Sequence, residues 1–159
     1  MMGALSHLKF GSMPAFPRKQ ARGLILVIKK ILVVDDESMI RNFLSTVLTL
    51  DGYQVFTSND GIEAIENIDE YSPDLVITDL AMPFCDGINL TRMLRTTLKY
   101  RAMPVLMLSG ADSGRLLTAI DVGANAILRK PIHPDLLLKC VRLWVGEPKI
   151  DQALACYAH

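Results

Sequence analysis

The chain is expected to fold as a doubly wound α/β domain, a five-stranded parallel sheet covered by five helices. Three observations predict it. Short apolar, β-branched runs alternate with stripes of helical period along nearly the whole chain. The runs lack the polar alternation of a half-exposed strand, so they belong to a sheet covered on both faces. The third is chemical: all five runs close on polar side chains, and in four of them these are not merely ordinary turn residues.

Each element follows in order. "LILVIKKILVVDD" holds the first strand and ends on Asp35-Asp36. Ile40, Phe43, Leu44, Val47 and Leu48 then recur on one helical face, stopped near Gly52. "YQVFTS" is a short second strand. Asp60 and Glu63 have the spacing of a capping box, and Ile62, Ile65 and Ile68 stripe the helix that follows. "DLVITD" is the third strand; Leu90, Met93, Leu94 and Leu98 mark a helix beginning after Asp86-Gly87. "MPVLMLSG" is the fourth strand, followed by a helix bearing Leu116, Leu117 and Ile120 and ended by Gly123. "NAILRKP" is the fifth strand, and Leu137, Val141 and Trp144, with Leu138 and Val145 beside them, form the last helix.

This places the domain at residues 26–146. Residues 1–25, with two prolines, three glycines and no consistent period, are expected to be a flexible basic arm, and 147–159 a short C-terminal tail. The overall formal charge is zero. Residues 1–34 nevertheless carry six basic side chains and no acid, and the rest carries eleven basic and seventeen acidic ones. So acidic a body argues against a nucleic-acid surface. No apolar run is long enough to span a bilayer. Cys85, Cys140 and Cys156 are unevenly spaced, without a CxxC pair, so free thiols in a reducing cytoplasm are expected rather than disulfides or zinc.

In open parallel sheets, ligands bind at the carboxyl ends of the strands. Asp35, Asp36, Asp79, Ser109 and Lys130 all fall there. Two like charges 4 Å apart repel by about 4 kcal/mol at an effective dielectric of 20. Gathered carboxylates therefore call for a cation, a raised pKa, or both. Hard oxygen donors favour Mg²⁺, which is held by one or two carboxylates together with phosphate oxygens. Lys130 adds a positive charge and Ser109 a hydroxyl, a set suited to a phosphoryl group on the remaining carboxylate.

The set "ILVVDDE", "DLVITDLAMPFCDG", "PVLMLSG" and "ILRKP" resembles the CheY-like receiver domain of bacterial two-component response regulators, over essentially all of residues 29–146. The resemblance implies a flavodoxin-like sheet of order 2-1-3-4-5. It implies that Asp79 is the phosphoacceptor, and that Asp35 and Asp36 bind Mg²⁺, Asp36 directly and Asp35 mainly through water. Asp79 and the backbone carbonyl of Ala81 join them as metal contacts. Ser109 matches the family's switch hydroxyl, and Lys130 its active-site lysine, usually joined to the following proline by a cis peptide.

On this reading the protein is not an enzyme in its own right. It takes a phosphoryl group from a histidine kinase or histidine phosphotransfer protein and signals by protein contact, through the last two helices and fifth strand. A relay intermediate that passes the group onward, and a binding-only pseudo-receiver, are the alternatives. Neither nucleic acid nor membrane is an expected partner, and the expected location is the cytoplasm. A haloacid-dehalogenase-like phosphatase would need a second acid where Ala81 stands, and the acidic first loop would repel a flavin phosphate.

Two features depart from the family pattern. Ile127 replaces a frequent aromatic, so switching is expected to rest on backbone and helix shifts. Ala81 and Ala111 flank the site with little cover, so polar substitutions there are expected to change the phosphoryl lifetime. His133 is expected to start a helix, Cys85 to be an incidental thiol, and Met103 and Met107 to lie in the core.

Overall fold

The computed structural model describes residues 28–110 and 114–147. The expected arm at 1–25, nearly all of the tail, Ala111, Cys156 and the start of the first apolar run lie outside the described residues.

Ten elements alternate along the chain: β1 (Lys30–Val34), α1 (Ser38–Leu50), β2 (Gln54–Ser58), α2 (Gly61–Tyr71), β3 (Leu75–Asp79), α3 (Gly87–Thr96), β4 (Val105–Ser109), α4 (Leu116–Asp121), β5 (Ala126–Arg129) and α5 (Pro134–Val145). The strands form one parallel sheet in the order β2-β1-β3-β4-β5. The central strands β3 and β4 are buried at every residue. The edge strands β2 and β5 are not.

Strand alternation divides the core between the two faces. Ile31, Val33, Leu75, Ile77, Leu106 and Leu108 pack with Leu44 and Leu48 of α1 and Leu137 and Val141 of α5. Leu32, Val34, Val76 and Val105 pack against Ala64 and Ile68 of α2 and Leu90 and Leu94 of α3. Met103 and Met107 are buried as expected. His133 is the N-cap residue of α5, with Pro134 opening the helix.

Leu44, Leu48, Leu90, Leu94, Leu137 and Val141 are buried as their stripes predict, but other helix positions depart from them. In α2 the buried residues are Gly61, Ala64 and Ile68, while Ile62 is exposed. The helix must come close: a Cβ on Gly61 would stand 2.5 Å from Cys85 Sγ. Small residues therefore share the inward face with Ile68, Ile65 packs against the same core, and only Ile62 of the expected stripe turns outward. In α4 the one buried residue is Ala119, with Leu117 and Ile120 turned outward. Leu98 falls beyond the end of α3 and is exposed, and Phe43, Met93 and Trp144 are likewise exposed in part. The capping box at α2 is offset by one residue. Asp60 accepts from the backbone N–H groups of Ile62 and Glu63, but Glu63 reaches back to Asn59 rather than to Asp60.

Candidate functional site

From β1, the sheet steps one way to β2 and the other way to β3. Such a reversal opens a crevice at the carboxyl ends of the strands. Asp35 follows β1 and Asp79 ends β3 on the same side of the strand alternation as Ile31, Val33, Leu75 and Ile77. Ser109 ends β4, and Lys130 follows β5. The Lys130–Pro131 peptide is cis.

Lys130 joins the two acids. Its Nζ lies 2.8 Å from Asp79 Oδ1 and 3.0 Å from Asp35 Oδ2. The side chains of Lys130, Asp79 and Asp35 are 20, 8 and 0% exposed, so water screens these charges little. Both acids also serve the backbone. Asp35 Oδ1 accepts from Glu37 N–H at 2.9 Å, and Asp79 Oδ2 from Ala81 N–H at 2.8 Å. These are the local turns that aspartate favours after a strand. The turn role and the charged cluster thus coexist in the same side chains.

Burial, together with the negative charge of Asp79, holds the Asp35 carboxyl above the usual carboxylate value. The Glu37 N–H and Lys130 oppose that shift without cancelling it. For Lys130, burial works against the charged form, but hydrogen bonds to Asp79 and Asp35 and their charges outweigh it and raise the ammonium's pKa. The lysine is thus firmly protonated between two carboxylates. Ser109 is fully buried; its Oγ donates to Gly110 O at 3.0 Å, and its carbonyl accepts from Lys130 N–H. Ile127 is partly buried against Leu80, Ile88, Met107 and Ala119, beside α4.

Asp36 is exposed, and Lys130 pairs with Asp35, Glu37 and Asp79 rather than with it. Among the described residues, no three acidic, histidine or cysteine side chains are already gathered as a metal site. The donor chemistry still fits a hard dication. Two carboxylates meet at one edge, a third is adjacent in sequence, and sulfur and imidazole are absent from the described cluster. Cys85, buried against Gly61, has its thiol pushed up by burial and by the charges of Asp86 and Asp60, which suits an unreactive thiol.

Two participants escaped the sequence reading. Glu37 Oε1 approaches Lys130 Nζ to 3.8 Å, a third carboxylate at the mouth; the acidic run Asp35-Asp36-Glu37 was the available signal. Arg115 at the start of α4 pairs with Asp86 at the start of α3, at 2.6 Å. No local pattern connects residues so far apart in sequence.

The family described as response regulator receiver domain matches residues 31–142. A stretch of 119 residues is 35% identical to part of the CAI-1 autoinducer sensor kinase/phosphatase CqsS of Vibrio cholerae, covering 74% of this chain and 17% of that protein. The response regulator MprA of Mycobacterium leprae is 36% identical over 125 residues, covering 78% of this chain and 54% of that protein. The chain therefore spans about half the length of this response regulator and less of the kinase. Among solved structures, the chemotaxis protein CheY4 of Vibrio cholerae superposes with a TM-score of 0.69 at 33% identity, covering 74% of this chain and 98% of that one.

Proposed function

The chain belongs to the response regulator receiver domain family of two-component signalling, and on that premise we propose that it accepts a phosphoryl group on Asp79. The observation that carries the proposal is Lys130. A protonated amine 2.8 Å from Asp79 and 3.0 Å from Asp35 offsets the repulsion between two buried carboxyl groups and supports an Asp79 oxygen as nucleophile. The donor is a histidine kinase or histidine phosphotransfer protein. The N–P bond of its phosphoimidazole breaks as a bond forms from an Asp79 carboxylate oxygen to phosphorus. The departing imidazole keeps the N–P electron pair and takes a proton from water. No oxidation or reduction occurs.

Asp36, Asp79 and the Ala81 carbonyl would hold Mg²⁺, with Asp35 contacting it through water. Bound there, the metal would offset charge on the acceptor and on the incoming phosphoryl oxygens. Lys130 stays beside the new acyl phosphate and compensates its added charge. Ser109 turns its hydroxyl from the Gly110 carbonyl toward a phosphoryl oxygen. Output then passes to a partner protein through α4, β5 and α5. With Ile127 in place of a ring, backbone and helix shifts carry that signal.

Incubation with acetyl phosphate and Mg²⁺, followed by intact mass, tests the reading. A single phosphoryl adduct is expected, absent from Asp79→Asn and lost on chelation. An adduct that persists in Asp79→Asn rejects Asp79 as the acceptor, and no adduct from any donor points to a binding-only role. The resemblance to part of a sensor kinase/phosphatase favours a second reading, a relay intermediate. Return of the phosphoryl group to a histidine phosphotransfer domain would mark that case.

A further inference from the structure

We propose that Arg115 is a positioning residue for phosphoryl acceptance: through its ion pair with Asp86 it braces the start of α4 against the acceptor loop and resists switching. The proposal rests on the reading of Asp79 as phosphoacceptor and concerns how that site is regulated.

Asp86 is engaged at both carboxylate oxygens. Oδ1 accepts from Asn89 N–H at 2.8 Å and caps α3, while Oδ2 meets Arg115 Nη2 at 2.6 Å. Burial works against the Asp86 charge, yet Arg115 and the helix N–H groups hold its carboxyl below the usual value. The neighbouring Gly87 lies directly on the acceptor strand. A Cβ there would stand 2.2 Å from the Asp79 carbonyl oxygen. One end of the brace is thus anchored to the backbone of Asp79.

The other end is held weakly by everything else. α4 has six residues and buries one of them, Ala119. An element with so few buried contacts is the easiest part of a domain to displace. Arg115 is its N-cap residue and makes no side-chain cap bond there. A cation at a helix N-terminus opposes the helix dipole, so Arg115 is poorly placed unless another group takes its charge. Asp86 takes it.

Ser109 closes β4 and Arg115 caps α4, so the two residues bracket the passage from strand to helix, and on this proposal a shift of Ser109 toward Asp79 is coupled to Arg115. Contacts present in one state and lost in the other bias the equilibrium by their own free energy. Intact, the brace favours the unphosphorylated arrangement and weakens phosphoryl binding by a matching factor. The pair is partly solvated, with side chains 48 and 16% exposed. Surface pairs of this kind correspond to a factor of about 2–5 in an equilibrium constant.

The test is the dissociation constant of beryllofluoride, an acyl-phosphate mimic, measured calorimetrically with saturating Mg²⁺ on the full chain. Arg115→Gln is expected to bind about 2–5-fold more tightly than wild type at low ionic strength. Arg115→Lys, which keeps the charge, should stay near wild type. In about 1 M salt, where the Debye length is roughly 3 Å, wild type and Arg115→Gln should converge. Equal binding at low salt overturns the brace. So does weaker binding, which would mean that the guanidinium supports the phosphoryl charge itself. If wild type shows no Mg²⁺-dependent binding, or if binding survives Asp79→Asn, the acceptor reading fails and the brace falls with it.

Discussion

The two edges of the sheet each carry an aspartate–lysine pair at nearly the same distance, in different surroundings. At the amino edge, Lys29 Nζ lies 3.1 Å from Asp74 Oδ1, with side chains 32 and 34% exposed. Asp74 also accepts from Lys30 N–H. At the carboxyl edge, Lys130 meets Asp79 and Asp35 at 2.8 and 3.0 Å, almost out of reach of water. Burial rather than separation sets what each pair does. Solvent screens the amino-edge pair, which ties a loop to a strand. The carboxyl-edge cluster cannot lean on water, so every charge there depends on the others. That dependence makes a new charge on Asp79 a structural event.

Breaking the buried cluster should have the largest effect. Lys130→Met leaves two buried carboxylates without their cation, and removing one partner of such a cluster costs about 3–5 kcal/mol. Urea unfolding at neutral pH, in the presence of chelator, measures it. A loss no larger than that of an exposed pair would show that water reaches the cluster.

Strain in the same region gives the next effect. Phe84, two residues before Asp86, has φ 64° and is 89% exposed. A left-handed backbone at a non-glycine residue costs about 1–2 kcal/mol, and the exposed ring recovers little of it by packing. Phe84→Gly should therefore raise stability by about 1 kcal/mol, less the extra unfolded-state freedom of glycine. A loss of stability would show that the ring is held by contacts the exposure conceals.

Next is Lys29→Met at the amino edge, expected to cost about 0.5 kcal/mol and less in high salt. A cost comparable to that of Lys130→Met would collapse the contrast between the edges.

Acid titration separates Asp35 from Asp86 by the slope of stability against pH rather than by its size. The Asp35 carboxyl is raised above its ordinary 3.8. Between that value and its folded pKa the unfolded chain binds fewer protons, so this group makes stability fall as pH rises. Asp86 is lowered, so its contribution is present above the ordinary value and is lost as pH falls through its folded pKa. In chelator, Asp35→Asn should remove the first slope and leave the second. An unchanged pH profile would mean that Asp35 is not held above its ordinary value.

Much of this was legible in the sequence, for a physical reason. Strands buried on both faces need continuous apolar runs, so Asp35, Asp79, Ser109 and Lys130 stood out as the polar residues that close them. Helix faces were less legible, because small residues pack where a backbone must approach closely. Gly61 against Cys85 and the lone buried Ala119 of α4 show this. Large side chains then also fall on the outer face, as Ile62, Leu117 and Ile120 do. The Arg115–Asp86 pair was invisible because only the folded sheet brings those helix starts together. Glu37 beside Lys130 had a local signal, the third acid of a run, but its reach depends on where β5 ends.

On the proposed function, the charge at the carboxyl edge serves to receive a phosphoryl group on one carboxylate. Treatment with acetyl phosphate and Mg²⁺, borohydride reduction of the acyl phosphate, and peptide mass mapping tests it at the level of the residue. Conversion of Asp79 to homoserine is expected, with Asp35, Asp36 and Asp86 unchanged. Reduction at any of those three instead, or unmodified Asp79 in a chain that has taken up phosphate, would contradict it.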